Sequence, residues 1–191
     1  MKGSGPASER LSEDEILGFF QLLLAAGIET TTNVIDNGVL CFLESPGALA
    51  RVEAAPDLWP AALEEVLRYR SPGQLMFRQA RHDVALRGGT IPAGAFVLAM
   101  IGAANRDPAA FQDPGRFDVA RTPNPHLAFG HGAHFCIGAP LARLEARIAL
   151  PDLFARTRNL ALASDTPWEP RRALHVHGPR RLPIRFAPRR V

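Results

Sequence analysis

Cysteine is scarce in this sequence. Cys41 and Cys136 are the only two, far apart, so no disulfide framework holds the chain and a reducing, cytoplasmic compartment is expected. Long apolar runs are missing too. The longest mostly apolar stretch, Ile16 to Ile28, carries Gln21 and falls short of the roughly 20 residues a bilayer-spanning helix takes, so no membrane anchor is expected. Met1 to Glu15 is polar and contains no apolar segment of a secretory signal. There are no internal repeats. A strong excess of one charge is also lacking: 22 Lys and Arg stand against 19 Asp and Glu. Much of the surplus lies late, at Arg171, Arg172, Arg180, Arg181, Arg185, Arg189 and Arg190. These arginines are not interleaved with aromatics, so they read as a solvated face rather than a nucleic-acid surface.

What remains is an ordinary globular composition. The chain has 191 residues, 47% hydrophobic and 21% charged, enough for one domain with a real core. Residues 1–10 carry Gly, Ser and Pro and are expected to be disordered. Ser12 and Glu15 form a capping box, with Leu11 and Ile16 placed as a hydrophobic staple. A helix is predicted from Glu13 to Glu44, ended by Ser45-Pro46-Gly47 and roughly 45 Å long. It is apolar nearly all round from Phe19 to Ala26, which predicts a central position. Shorter helices follow at 46–55 and 61–69. Between Leu75 and Met100 the pattern turns to β-like runs, Val84–Leu86 and Phe96–Met100, split by Gly88-Gly89 and Pro92-Ala93-Gly94. A long proline-bearing loop from Asn105 to Asp118 is of the uncommon kind that is usually functional. A last helix starts at Pro140, where Pro151 predicts a kink or break. Strand-like pieces lie within 174–186. The class is mainly α with small β-sheets.

Chemistry concentrates between Phe129 and Pro140. Gly130, Gly132 and Gly138 permit backbone conformations that residues with a Cβ avoid. Cys136 sits just before a helix, whose N–H groups and dipole favour a thiolate, a soft metal ligand. The residues alone leave three readings open: a buried structural cysteine, a zinc site of His131, His134 and Cys136, or a metal ligand of another kind. The spacing is not that of a paired CxxC or HxxxH zinc site.

The full pattern Phe129-Gly130-x-Gly132-x-His134-x-Cys136-x-Gly138 closely resembles the haem-ligand signature of the cytochrome P-450 haem-thiolate monooxygenases. The resemblance implies that Cys136 is the axial ligand of a haem b (iron protoporphyrin IX). It implies that Phe129 packs beside it, that Gly130 and Gly138 shape the cofactor loop, and that His134 reaches a propionate. Ala26-Gly27-Ile28-Glu29-Thr30-Thr31 resembles the oxygen-activating segment of that family. By itself it is a poor helix with small residues. With the resemblance, Gly27 gives room for the cofactor, while Thr30 organises a proton-carrying water and Glu29 relays protons from solvent. Glu65 and Arg68 are three apart on one helix face, a spacing usually worth only a weak surface pair. In that family the pair is buried and joined by a later arginine, which implies a structural Glu65–Arg68–Arg116 network. Arg78 stands where a second propionate clamp is expected.

The resemblance runs from about Leu11 to the C-terminus and fits the C-terminal half of that fold, a long central helix plus the cysteine-ligand loop. Residues 11–191 are therefore expected to be a haem-binding portion with the N-terminal half of the fold absent. The implied activity is O2-dependent hydroxylation of a small organic substrate, with a ferredoxin or flavoprotein donating electrons. The competing expectation is a truncated non-catalytic remnant, or a haem-binding or interaction module without a substrate pocket. A helix left without its usual partners would expose a large apolar surface.

Overall fold

The computed structural model describes residues 10–163 and 168–189. The disordered N-terminus expected at 1–10 falls almost wholly outside the described residues, and so does Arg190.

The capping box forms. Ser12 Oγ accepts from the Glu15 N–H at 3.2 Å, and Glu15 Oε2 accepts from the Ser12 N–H at 2.7 Å. It starts α1 (Glu13–Glu44), a helix of 32 residues. Then come α2 (Pro46–Ala54), a 3₁₀ turn (Pro56–Leu58) and α3 (Trp59–Tyr69), with Pro60 in the first turn of α3, where its missing N–H costs nothing. Strands β1 (Met76–Gln79) and β4 (Phe96–Ala99) pair antiparallel, as do β2 (Val84–Leu86) and β3 (Gly89–Ile91). After the short α4 (Ile101–Ala104) and the long loop, α5 covers Ala139–Arg156. The chain ends in β5 (Thr157–Leu162), β6 (Glu169–Pro170), β7 (Pro179–Arg181) and β8 (Ile184–Pro188), paired β5 with β8 and β6 with β7.

Three expectations need correction. First, α1 is central only in its C-terminal half. Its buried residues are Asn33, Val34 and 37–42, whereas Leu17, Phe20, Leu22 and Ile28 are each more than half exposed. Second, α5 runs through Pro151 without a break. The proline removes one hydrogen bond, but Leu150 and Phe154 on either side are buried in the core and hold the helix on course. Third, Gly89 opens a strand rather than ending a turn, because Gly88 alone takes the left-handed conformation, at φ 99°. The strands at Met76–Gln79 and Thr157–Leu162 carried no clear alternation and were not among the expected ones.

The core sits where α1, α3 and α5 meet. Phe42 is its hub, with edge-on ring contacts to Trp59 at 5.1 Å, Phe154 at 5.4 Å and Phe117 at 5.6 Å. Gly38 lets α5 approach closely: a Cβ there would lie 2.6 Å from Leu150 Cδ1. The C-terminal segment closes on the same helix, where a Cβ on Gly178 would lie 2.2 Å from Asn33 Oδ1 and 3.0 Å from Asn33 Cβ. Asn33 is fully buried and cannot swing clear. Gly178→Ala is therefore expected to destabilise the chain by about 1–3 kcal/mol, the cost of overpacking, read as a lower unfolding midpoint in urea at unchanged slope.

Candidate haem-thiolate site

The loop before α5 is built by its own backbone. Gly130 and Gly132 hold φ of 75° and 72°, the left-handed region open to glycine. The Gly130 N–H donates to the Leu127 carbonyl at 2.9 Å, and the Cys136 N–H donates to the Phe129 carbonyl at 2.9 Å. These bonds turn the chain twice and leave the Cys136 side chain exposed. Among the described residues its sulfur receives no hydrogen bond, so both lone pairs are open to a metal. Gly138 caps α5 in an ordinary helical conformation, and a Cβ on it would stand 3.8 Å from the sulfur. Thus Phe129, Gly130, His134, Cys136 and Gly138 share one rigid loop. No group of three His, Cys, Asp or Glu able to hold a metal occurs among the described residues, which leaves the zinc reading of His131, His134 and Cys136 without support.

A buried carboxylate braces this loop. Glu65 and Arg68 side chains are both 0% exposed and meet through two bonds of 2.8 Å, the geometry of a bidentate pair. Arg68 Nη1 also donates to the carbonyls of Asn105 and Pro114, and its Nη2 to that of Arg116. The expected third arginine needs correction. Arg121, not Arg116, brings its Nε to Glu65, at 3.0 Å; Arg116 contributes only its backbone carbonyl. The Arg121 N–H closes a turn on the Asp118 carbonyl at 3.0 Å, and its side chain is only 10% exposed. The link to the cysteine is short: Asn105 Oδ1 accepts from the Leu127 N–H at 2.7 Å, and the Leu127 carbonyl accepts from Gly130.

A second brace was not foreseen. Glu64, next to Glu65, takes Arg143 of α5 through two bonds of 2.8 Å and His126 Nε2 at 2.9 Å. His126 Nδ1 accepts from the Ala128 N–H, which leaves Nε2 as the donor to Glu64. The Arg143 guanidinium stands 4.5 Å from the centre of the Phe129 ring, a cation–π contact. Burial would raise the Glu64 pKa, but the bonds from His126 and Arg143 outweigh it and hold the carboxyl at about 2. The adjacent glutamates were the available signal, but no spacing ties them to an arginine 79 positions away.

The other predicted residues lie on α1 and β1. Thr30 Oγ1 donates to the Ala26 carbonyl and Thr32 Oγ1 to the Ile28 carbonyl, bending back on a helix that stays continuous. A Cβ on Gly27 would meet nothing within 4 Å, so this turn presents an open face. Glu29 keeps contact with water. It is half exposed and pairs with Arg171 at 3.0 Å, one of the late arginines. Arg180 and Arg189 also have acidic partners, Glu169 and Glu53, so the basic face is partly neutralised. Arg78 on β1 is exposed, its Nη1 donating to the Phe77 carbonyl. The residues fit a haem on chemical grounds. An open sulfur, exposed Phe135 and Ile137, and Arg78, which meets no carboxylate among the described residues, suit an apolar macrocycle with anionic edges.

The cytochrome P450 family pattern matches residues 1–171. The chain belongs to the cytochrome P450 family. It is 49% identical over 161 residues to the putative cytochrome P450 YjiB of Bacillus subtilis, covering 84% of this chain and 41% of that protein. It is 46% identical over 182 residues to the biotin biosynthesis cytochrome P450 of the same organism, covering 95% and 46%. Among solved structures, substrate-free CYP109E1 of Bacillus megaterium superposes with a TM-score of 0.92 at 42% identity, covering 97% of this chain and 48% of that one. The fold is thus a partial P450 fold, and the chain spans about half the length of the relatives it matches. No described helix is long and apolar enough to cross a membrane.

Two outcomes follow for the P450 braces. Arg68→Ala leaves the buried Glu65 with Arg121 as its remaining arginine partner and removes the bidentate pair, and is expected to cost about 3 kcal/mol in chemical unfolding. For Glu64, a folded pKa near 2 against an unfolded value near 4.5 means stability that is full above the unfolded value. That stability is lost as pH falls from about 5 to 2, and Glu64→Gln should flatten the stability profile over that window.

Proposed function

We propose that this chain is the haem-holding part of a haem-thiolate monooxygenase, with Cys136 as the axial ligand of haem b. The observation that carries the reading is the exposed, unbonded Cys136 sulfur on a loop locked by the Phe129 carbonyl and braced through Asn105 to the buried Glu65–Arg68 pair. When bound, the haem supplies O2 activation, with the thiolate pushing electron density to favour O–O cleavage. One oxygen atom would enter a small organic substrate, and a ferredoxin or flavoprotein would supply the electrons. His134 and Arg78 would hold the propionates. Phe129 and Phe135, with ring centres 6.3 Å apart, would shield the sulfur from water.

Proton supply would fall to α1. Glu29 gives one carboxylate oxygen to Arg171, and the other, which has no partner among the described residues, can take a water. The Thr30 hydroxyl is anchored on the Ala26 carbonyl, so its oxygen can accept a bond from a water over Gly27. The open face at Gly27 leaves room for that water.

A second reading is a haem-binding or interaction module without its own substrate pocket. It is favoured by the exposed N-terminal half of α1, where Phe20, Leu24 and Ile28 have no described cover. One experiment separates the two. The chain is titrated with haem, reduced, exposed to carbon monoxide and supplied with a redox partner. The far-red-shifted Soret band of thiolate ligation, lost in Cys136→Ala, supports haem holding. Substrate turnover that becomes uncoupled from O2 consumption in Thr30→Ala supports the monooxygenase. A band without any turnover supports the module, and a band retained by Cys136→Ala sinks the ligand assignment.

A further inference from the structure

Away from the cysteine loop, a cleft of about 310 Å³ opens beside the C-terminal end of α3. Its wall is Arg68, Tyr69, Arg70, Ser71, Gln74, Gly102, Arg106 and His177, three guanidiniums and an imidazole with no carboxylate among them. The three arginines are not equally satisfied. Arg68 is spent on Glu65 and three carbonyls. Arg70 gives Nη2 to Glu44, but its Nε is buried without a partner. Arg106 directs Nε and Nη2 to the neutral Tyr69 carbonyl, at 3.2 and 2.6 Å, and meets no carboxylate among the described residues. Its guanidinium rests 3.7 Å from the centre of the Tyr69 ring, which fixes its position and leaves Nη1 unspent.

His177 completes the wall. Its backbone is held on both sides, with its N–H donating to the Pro72 carbonyl at 2.7 Å and its carbonyl accepting from Asn37 Nδ2 at 3.1 Å. Its ring meets Trp168 edge-on at 6.0 Å, and the same indole lies 5.5 Å from the Arg70 guanidinium. Burial, then Arg70 and Arg106, push its pKa down. The imidazole therefore stands beside Arg70, which is paired with Glu44, and Arg106, which has no carboxylate partner among the described residues.

One effect opposes an anion here. The carbonyl end of α3 points toward this region, and a helix C-terminus repels negative charge. Three of the last four carbonyls of α3 already have donors. Val66 accepts from the Arg70 N–H, Leu67 from the Ser71 hydroxyl and Tyr69 from Arg106. With those three carbonyls engaged, the donors of Arg70, Arg106 and His177 that have no partner among the described residues determine what the cleft attracts.

We propose that this cleft is a binding site for a phosphate group, held by Arg106 and Arg70 with His177 as a third donor. Phosphate fits better than a carboxylate because it offers several oxygens to donors entering from different sides, and its second charge answers both Arg106 and a protonated His177. The site does not depend on the haem reading, since none of its residues belongs to the cysteine loop.

The test uses the full chain and follows the His177 imidazole resonances by NMR. Inorganic phosphate is expected to shift them saturably and to raise the His177 pKa, because an anion favours the charged ring. Chloride at equal ionic strength should do neither, and acetate should bind more weakly. Comparing inorganic phosphate with a phosphomonoester tells free from esterified phosphate, and saturable binding of either supports the site. Arg106→Gln should weaken binding about tenfold, the loss of one charge-assisted contact. Should that variant not fold, His177→Gln, which keeps the backbone bonds, should also weaken phosphate. An absent or unsaturable shift, an equal response to chloride, acetate binding at least as tight, or unchanged affinity in the folded variants would overturn the proposal.

Discussion

A single buried carboxylate holds the architecture around the cysteine in place. Glu65 has no exposure to water, yet it is charged and receives Arg68, Arg121, the Asp118 N–H and Asn124. Taking such a charge out of water costs several kcal/mol, repaid only where the geometry is good and every oxygen is met. Here it is met, and the partners come from α3 itself and from residues 118–124 of the long loop. The pair thereby converts one helix, α3, into the anchor of a loop with almost no regular secondary structure. Arg68 then spreads this anchoring to the carbonyls of Asn105, Pro114 and Arg116. A loop that would otherwise sample many conformations is held to one, and the Cys136 turn inherits that order through Asn105 and Leu127.

Glu64 adds a second tie from the same helix, facing the other way. It joins α3 to α5 through Arg143 and to the loop through His126. Arg143 in turn lies on Phe129, whose carbonyl positions the cysteine amide. Two neighbouring acids thus constrain the cysteine turn from both of its ends. By contrast, the helix carrying Gly27, Glu29 and Thr30 is firmly packed only from Asn33 onward. The cysteine turn is tied down by residues of this chain, whereas the N-terminal half of α1 presents an exposed apolar face.

Much of this was legible in the sequence where the signal is local. The Ser12–Glu15 cap, the stop at Ser45-Pro46, Pro60 and the glycines of the cysteine loop act through their immediate neighbours, so their residue types announce the backbone. Long-range partners were not legible. Nothing near Arg121 distinguishes it from Arg116, since both follow turns in one loop and only the folded path decides which reaches Glu65. The pairing of Glu29 with Arg171, and of Glu64 with Arg143, joins segments far apart in the chain. Pro151 shows the converse: a strong local signal for a break is overridden because the flanking Leu150 and Phe154 are buried against α1 and α3.

The account rests on a sulfur–iron bond at Cys136, and X-ray absorption at the iron edge of the haem-loaded chain reports that bond directly. One sulfur scatterer in the first shell, beside the four porphyrin nitrogens and absent in Cys136→Ser, is the predicted result. A first shell of nitrogen and oxygen alone in the unmutated chain, or a sulfur that survives the substitution, would contradict it.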